Sequence, residues 1–174
     1  MKKSLFALSL LSATLASAAP STPPSPPSGG SGGVGNPARR DAIEVSFYND
    51  GTVLLFKKEW AGAQQQFEAA LAIKETMAEA HNNLAYVLRK QGAAHYAKSL
   101  EHYNRAIELK PKLAEAYMYR GALHALSGQA EFARADYERL VKMKSKLAPH
   151  LKKVIDTGQE EEPEQFYGVA KKQK

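Results

Sequence analysis

Five histidines, at positions 81, 95, 102, 124 and 150, are the side chains of this 174-residue sequence best suited to acid-base work or metal ligation. On a helix, two ligands or relay groups share a turn only when they stand three or four residues apart, and no two of these histidines do. Cysteine is absent, which removes thiolate metal sites, thiol nucleophiles, disulfides and lipid attachment through sulfur. Asp50, Glu59 and Glu68 offer carboxylates, but Lys57 and Lys58 lie among them, so a solvated, ion-paired face accounts for them more simply. The glycines of PPSPPSGGSGGVG invite comparison with a phosphate-binding loop, yet no strand pattern precedes them and no Gly-Lys-Ser/Thr follows. The expectation is a non-enzymatic chain with no cofactor and no metal, and the chemistry left to it is binding.

Binding side chains need elements to hold them, and from Pro37 onward those elements read as helices. Apolar residues recur three and four apart, strand alternation is absent, and the turn residues Gly92 and Gly128 separate helical segments. Asn36-Pro37 is a suitable start, because Asn can accept from orphan amides and Pro loses nothing at the first helical position. AEAHNNLAYVLRKQG at Ala78 to Gly92 recurs as AEAYMYRGALHALSG at Ala114 to Gly128, an offset of 36 residues. Each copy runs on into a second helix, with Tyr103 and Ala106 on one face in the first and Tyr137 and Leu140 in the other. Upstream, Gly51, Leu54, Ala63, Phe67, Ala70 and Leu71 fall at equivalent places and Trp60 opens the second helix, so the unit is a helical hairpin present three times.

The ends have a different composition. Lys2 and Lys3, the apolar run Leu5 to Leu15 and the small residues Ala16-Ser17-Ala18 predict a cleaved export leader over 1–18, with an apolar run too short to cross a bilayer. Without a lipid-attachment cysteine, the mature chain is expected in the periplasm or outside the cell, with no integral membrane segment. Residues 19–36 offer Pro, Ser, Thr and Gly but almost nothing to bury, and predict a flexible linker. Loss of the leader removes two basic residues and no acidic one, lowering the net charge from +6 to +4, too mild to point to nucleic acid. From Arg139 to Ile155 there are six basic residues and no acidic one, followed by Gln159-Glu160-Glu161-Glu162-Pro163-Glu164. The basic stretch reads as a soluble helix face contacted by the acidic tail, in preference to a seat for an anionic partner or membrane surface, and 159–174 as a charged flexible tail.

With these residues in place, the sequence resembles the tetratricopeptide repeat family, in an exported bacterial form. The units align as 44–77, 78–113 and 114–147 within a solenoid over 37–158. The middle unit carries Leu84-Ala85, Leu88, Tyr103, Ala106 and Pro111, with Ser99 at a usual alanine and Ala93-Ala94-His95 lengthening its inter-helix turn. The last carries Tyr117, Gly121, Ala133 and Tyr137, but has Arg120, Leu140 and Ser145 where leucine, alanine and proline are usual. The first has Asp50 and Glu75 for that leucine and proline. Pro149, Leu151, Val154 and Ile155 resemble the family's solvating cap, over 148–158.

The resemblance implies an all-α superhelical solenoid of three hairpins plus a C-terminal capping helix. It also implies a concave face built from first helices that takes a peptide segment or helix. The residues it places there are Tyr48, Thr52, Leu55 and Phe56; Asn82, Asn83, Tyr86, Arg89 and Lys90; and Met118, Ala122 and Ala125. Asn82 and Asn83 suit a ligand backbone, the tyrosines contact area, and Arg89 a carboxylate. One subclass of the family clamps the carboxyl-terminal tail of chaperones; here only Asn83 matches, with Tyr48, Thr52, Glu115 and Tyr119 at the other positions, so that ligand is not expected. The expected function is an adaptor or assembly scaffold for another exported or envelope protein. The rival is a self-assembling homo-oligomer with no foreign ligand.

Overall fold

The computed structural model describes residues 37–160, with side chains from Ile43 onward. The leader at 1–18, the linker at 19–36 and the tail beyond Glu160 lie outside the described residues. Within them the helices are α1 (Pro37–Phe56), α2 (Trp60–Ile73), α3 (Ala78–Lys90), α4 (Tyr96–Leu109), α5 (Ala114–Leu126), α6 (Ala130–Lys142) and α7 (Ala148–Thr157). Helices pair as the hairpins α1–α2, α3–α4 and α5–α6, and each second helix also packs on the first helix of the next unit. The first helices touch along the row α1, α3, α5, and α7 lies against both α5 and α6.

Turn chemistry sets these lengths. At the end of α5, Gly128 takes a left-handed φ of 74°, and the Gln129 amide reaches back to the His124 carbonyl over 2.8 Å, satisfying a helix-end acceptor. The ends of α1 and α6 close in the same way, Glu59 N to Leu54 O at 2.9 Å and Ser145 N to Leu140 O at 3.0 Å, with Lys58 and Lys144 as the left-handed residues. Ala93–His95 form a single 3-10 turn between α3 and α4, which is how the middle unit absorbs its longer connection.

One apolar cluster joins the first two units through Tyr48, Phe67, Leu84, Leu88 and Tyr103 and reaches Tyr119 and Leu123 of the third. A second joins Tyr117, Met118, Ala122 and Leu140 to Leu151 and Val154 of α7. Small residues permit the close approaches. A Cβ on Gly51 would lie 2.8 Å from the Phe67 ring, and one on Gly121 would lie 2.6 Å from Leu151 Cδ2.

Two departures from the repeat pattern have plain physical solutions. Ser99 is fully buried at its alanine position, and its hydroxyl donates to the Ala85 carbonyl at 2.7 Å. Arg120, at a usual leucine, turns its guanidinium to Asp136 on α6, donating from Nε at 3.0 Å and Nη2 at 2.6 Å, while Nη1 reaches Asn104 Oδ1 on α4 at 2.6 Å. A charge replaces an apolar contact and stitches three helices.

Candidate protein-binding site

The row of first helices gathers the residues expected on the concave face, but it buries most of them. Tyr48, Thr52, Leu55, Asn82, Asn83, Tyr86, Arg89, Met118 and Ala122 are buried; Lys90 and Ala125 are half-buried, and Phe56 is 52% exposed. An open, aromatic and amide-lined groove is therefore corrected to a set of joints. The reason is reach: the long side chains of one first helix find partners on neighbouring helices. The Tyr48 ring packs on Phe67 with centroids 5.8 Å apart, and its hydroxyl accepts from Asn83 Nδ2 at 3.1 Å. Burial, only partly offset by that bond, pushes the Tyr48 phenol up to about 12. Tyr86 meets Trp60 edge-on at 6.4 Å and Tyr119 at 5.0 Å. Thr52 donates to the Tyr48 carbonyl within its own helix at 2.9 Å. Met118, Ala122 and Ala125 belong to the cluster that packs around α7.

Asn82 remains polar without full satisfaction: Nδ2 donates to Asn83 Oδ1 at 3.3 Å, and Oδ1 is buried with no partner. Such an atom costs about 1–3 kcal/mol of desolvation, so it is not explained by scaffold stability.

Arg89 is the most densely engaged of the set. It is 4% exposed, and its guanidinium stands 5.3 Å from the Tyr86 ring centroid and 5.7 Å from that of Tyr119. Nη1 and Nη2 donate to the two carboxylate oxygens of Glu160 at 3.0 and 2.6 Å, and Lys90 Nζ reaches Oε2 at 3.4 Å. Burial alone would raise the Glu160 carboxyl, but the charge and hydrogen bonds of Arg89, aided by Lys90, outweigh it and hold the carboxyl below its ordinary value. Burial works against the Arg89 charge too, yet the polarity of Tyr103 and the charge of Glu160 keep it firmly protonated. Glu160, expected in a flexible tail, is at this residue tied into the first-helix face.

Sequence spacing also missed a histidine pair, because it joins two helices rather than two turns of one. His81 Nδ1 and His102 Nδ1 are 2.9 Å apart, and His81 Nε2 lies 2.8 Å from the Glu75 carbonyl. A carbonyl only accepts, so Nε2 of His81 carries the hydrogen; its Nδ1 then accepts from Nδ1–H of His102 when both rings are neutral. Burial lowers both, His102 to about 4, with the Arg105 charge adding to the effect at His81 and His81 and Lys98 adding to it at His102. The Glu75 backbone and side chain oppose the shift at His81, as does Glu68 at His102. No group of three or more potential ligands that could hold a metal occurs among the described residues. Likewise, no described helix is long and apolar enough to cross a membrane.

Comparison with known proteins gives the class. Residues 95–128 match the family model of the TPR repeat, a span that covers α4 and α5 with the turn between them. Among solved structures, the Arabidopsis OM64 TPR domain superposes with a TM-score of 0.61 at 18% identity, covering 69% of this chain and 99% of that one. The first TPR of Spaghetti (RPAP3), bound to the HSP90 peptide SRMEEVD, gives 0.61 at 18% identity over 67% of this chain and 93% of that one. The fold is the all-α superhelical TPR fold.

Relatives in sequence point the same way. Photosystem I assembly protein Ycf3 of Rippkaea orientalis is 29% identical over 130 residues, covering 66% of this chain and 73% of that protein. Tetratricopeptide repeat protein 36 of Xenopus tropicalis is 33% identical over 103 residues, covering 57% of this chain and 50% of the relative. The human protein of that name is 34% identical over 90 residues, covering 49% and 47%. The chain thus spans about half the length of these last two relatives. The repeat match is thus to one TPR repeat, residues 95–128, and the solved structures share the fold.

Proposed function

We propose that the chain is a non-enzymatic interaction module, an adaptor or assembly scaffold, which holds a peptide segment or helix of another protein on its first-helix face. The observation that carries the reading is Arg89, a buried cation on the central first helix, backed by two tyrosine rings and engaged with a carboxylate from 71 residues away. A buried charge pair of this kind is a poor source of stability, because desolvation offsets much of its attraction, whereas it is well suited to recognising an acid. Two similar proteins lend support: RPAP3 holds a peptide on a TPR fold, and Ycf3 is named for assembly. The chaperone-tail peptide does not transfer to this chain, since Tyr48, Thr52 and Tyr119 are buried at the clamp positions.

By its leader and lack of cysteine, the module is exported, and its partner is an exported or envelope protein. The test is affinity capture from cell-envelope extract with the mature chain beside an Arg89→Gln variant whose melting is checked. Tyr86 is unsuitable for substitution because its ring packs between Trp60 and Tyr119. A partner retained by the parent chain and lost by the folded variant supports binding at this face. A partner held equally by both moves the site elsewhere. Retention of nothing, with size that grows with concentration in sedimentation, replaces the proposal with self-assembly.

A further inference from the structure

Glu160 follows α7 closely, yet the helix does not depend on it. Gly158 closes α7 in the left-handed conformation, at φ 66°, and its amide donates to the Val154 carbonyl at 2.9 Å. The Gln159 amide donates to Thr157 Oγ1 at 3.2 Å, and Leu151 and Val154 are buried against the third unit. The cap is therefore complete before Glu160 is reached. What Glu160 adds is a contact with α3, which α7 otherwise does not pack against.

On the other side, the receiving groups are organised by residues other than Glu160. Tyr86 and Tyr119 flank the guanidinium, and Lys90 Nζ lies 5.6 Å from the Tyr86 ring centroid. The receiving site also has more polar capacity than Glu160 uses. Tyr119 Oη is buried without a hydrogen-bond partner. Tyr103 and Tyr119 both lie close enough to Arg89 and Glu160 to feel their charges. An unpartnered phenol beside a bound carboxylate leaves the receptor a polar contact that its present occupant does not use.

We propose that Arg89 and Lys90 form a carboxylate-binding subsite, that Glu160 is its ligand in cis, and that an acidic side chain of a peptide partner binds by displacing Glu160. The proposal rests on the interaction-module reading and deepens it. Binding is then an exchange: one bidentate pair is broken as another forms, and the chain's own acid sets the threshold a partner must pass. A tethered ligand competes at an effective concentration fixed by its short connection to α7, so weak or singly charged peptides are excluded.

The test uses the full chain and a fluorescein-labelled peptide with the sequence of residues 157–168, TGQEEEPEQFYG. Glu160→Gln is expected to bind it about tenfold or more tightly than the parent chain, because the competitor in cis has lost its charge. Adding Arg89→Lys, which keeps the charge but loses the fork, should return binding to the parent level or below. A peptide with glutamine for all of its glutamates should not bind. Equal affinity for parent and Glu160→Gln, indifference to Arg89, or no binding to either overturns the proposal. Carbon-13 titration of the Glu160 carboxyl in the unaltered chain is the second measurement: a midpoint below the ordinary value supports the contact, and an ordinary one overturns it. If the proposal fails while envelope capture still yields a partner, the interaction-module reading stands without it.

Discussion

Two arginines in this molecule hold carboxylates through two-point contacts of the same lengths, and the two regions differ in what lies behind the acid. Arg120 grips Asp136 from two nitrogens at 3.0 and 2.6 Å, and Arg89 grips Glu160 from two at 3.0 and 2.6 Å. Asp136 stands in the middle of α6, fixed by the packing of a hairpin and assisted by Asn104 on α4. Glu160 stands beyond the last helix, on two residues of chain past Gly158. Breaking the first pair leaves the Arg120 side chain, 22% exposed, with Asn104 alone and no second acid built to replace the one lost. Breaking the second can be repaired by any other acid that reaches Arg89. The same interaction is thus structural or exchangeable according to its anchorage, and chemistry alone does not separate the two.

The largest expected effect tests whether α7 is held by its apolar side rather than by Glu160. Leu151→Ala should cost about 2–5 kcal/mol in denaturant unfolding, because the fully buried leucine fills the space over Gly121. Asp136→Ala comes next, at about 2–3 kcal/mol, since the Arg120 guanidinium keeps Asn104 but loses its acid. Should Glu160→Gln cost as much as Asp136→Ala by the same measurement, the distinction between the two arginines collapses; the expected loss is about 1–2 kcal/mol, because glutamine keeps an acceptor for the buried Arg89 guanidinium.

Acid sharpens the same contrast with a smaller effect. Both histidines of the His81–His102 pair have folded values below the ordinary 6.5, so the unfolded chain takes up protons first. Their contribution to stability is complete above about pH 6.5 and declines as the pH falls from there towards 4. Glu160 is shifted downward from 4.5, so its contribution is complete above that value and is lost only at lower pH. Melting curves between pH 7 and 5 should therefore soften while the Glu160 carboxyl signal stays in its ionised position. Replacing His102 with glutamine should flatten that slope.

Much of the scaffold was legible because helical hairpins are encoded by local spacing. Gly92 and Gly128 marked turns, Gly51 and Gly121 marked repeat positions, and Ala93–His95 marked the longer connection, all from residues a few positions apart. The departures at Ser99 and Arg120 could be located in the sequence, but not their solutions, which depend on atoms of other helices. The candidate face was legible as a set of positions and not as a surface. Tyr48, Asn83 and Tyr86 occupy their first helices as expected, but long side chains meet across the row and bury one another. His81 with His102 and Arg89 with Glu160 lie 21 and 71 residues apart, and no helical period connects such pairs. A charge run such as Gln159 to Glu164 signals an acid in search of a cation, but not which cation it finds.

Gly121 and Leu151 carry a consequence for how the third hairpin is covered. Helix α7 meets α5 and α6 as α5 itself meets α3 and α4, so it takes the berth that a fourth unit would claim. What it turns outward is the ion-paired Lys152 and Asp156 instead of a fresh apolar stripe. A single missing methyl at Gly121 admits the leucine, so this glycine sets how closely a covering helix can approach the third hairpin.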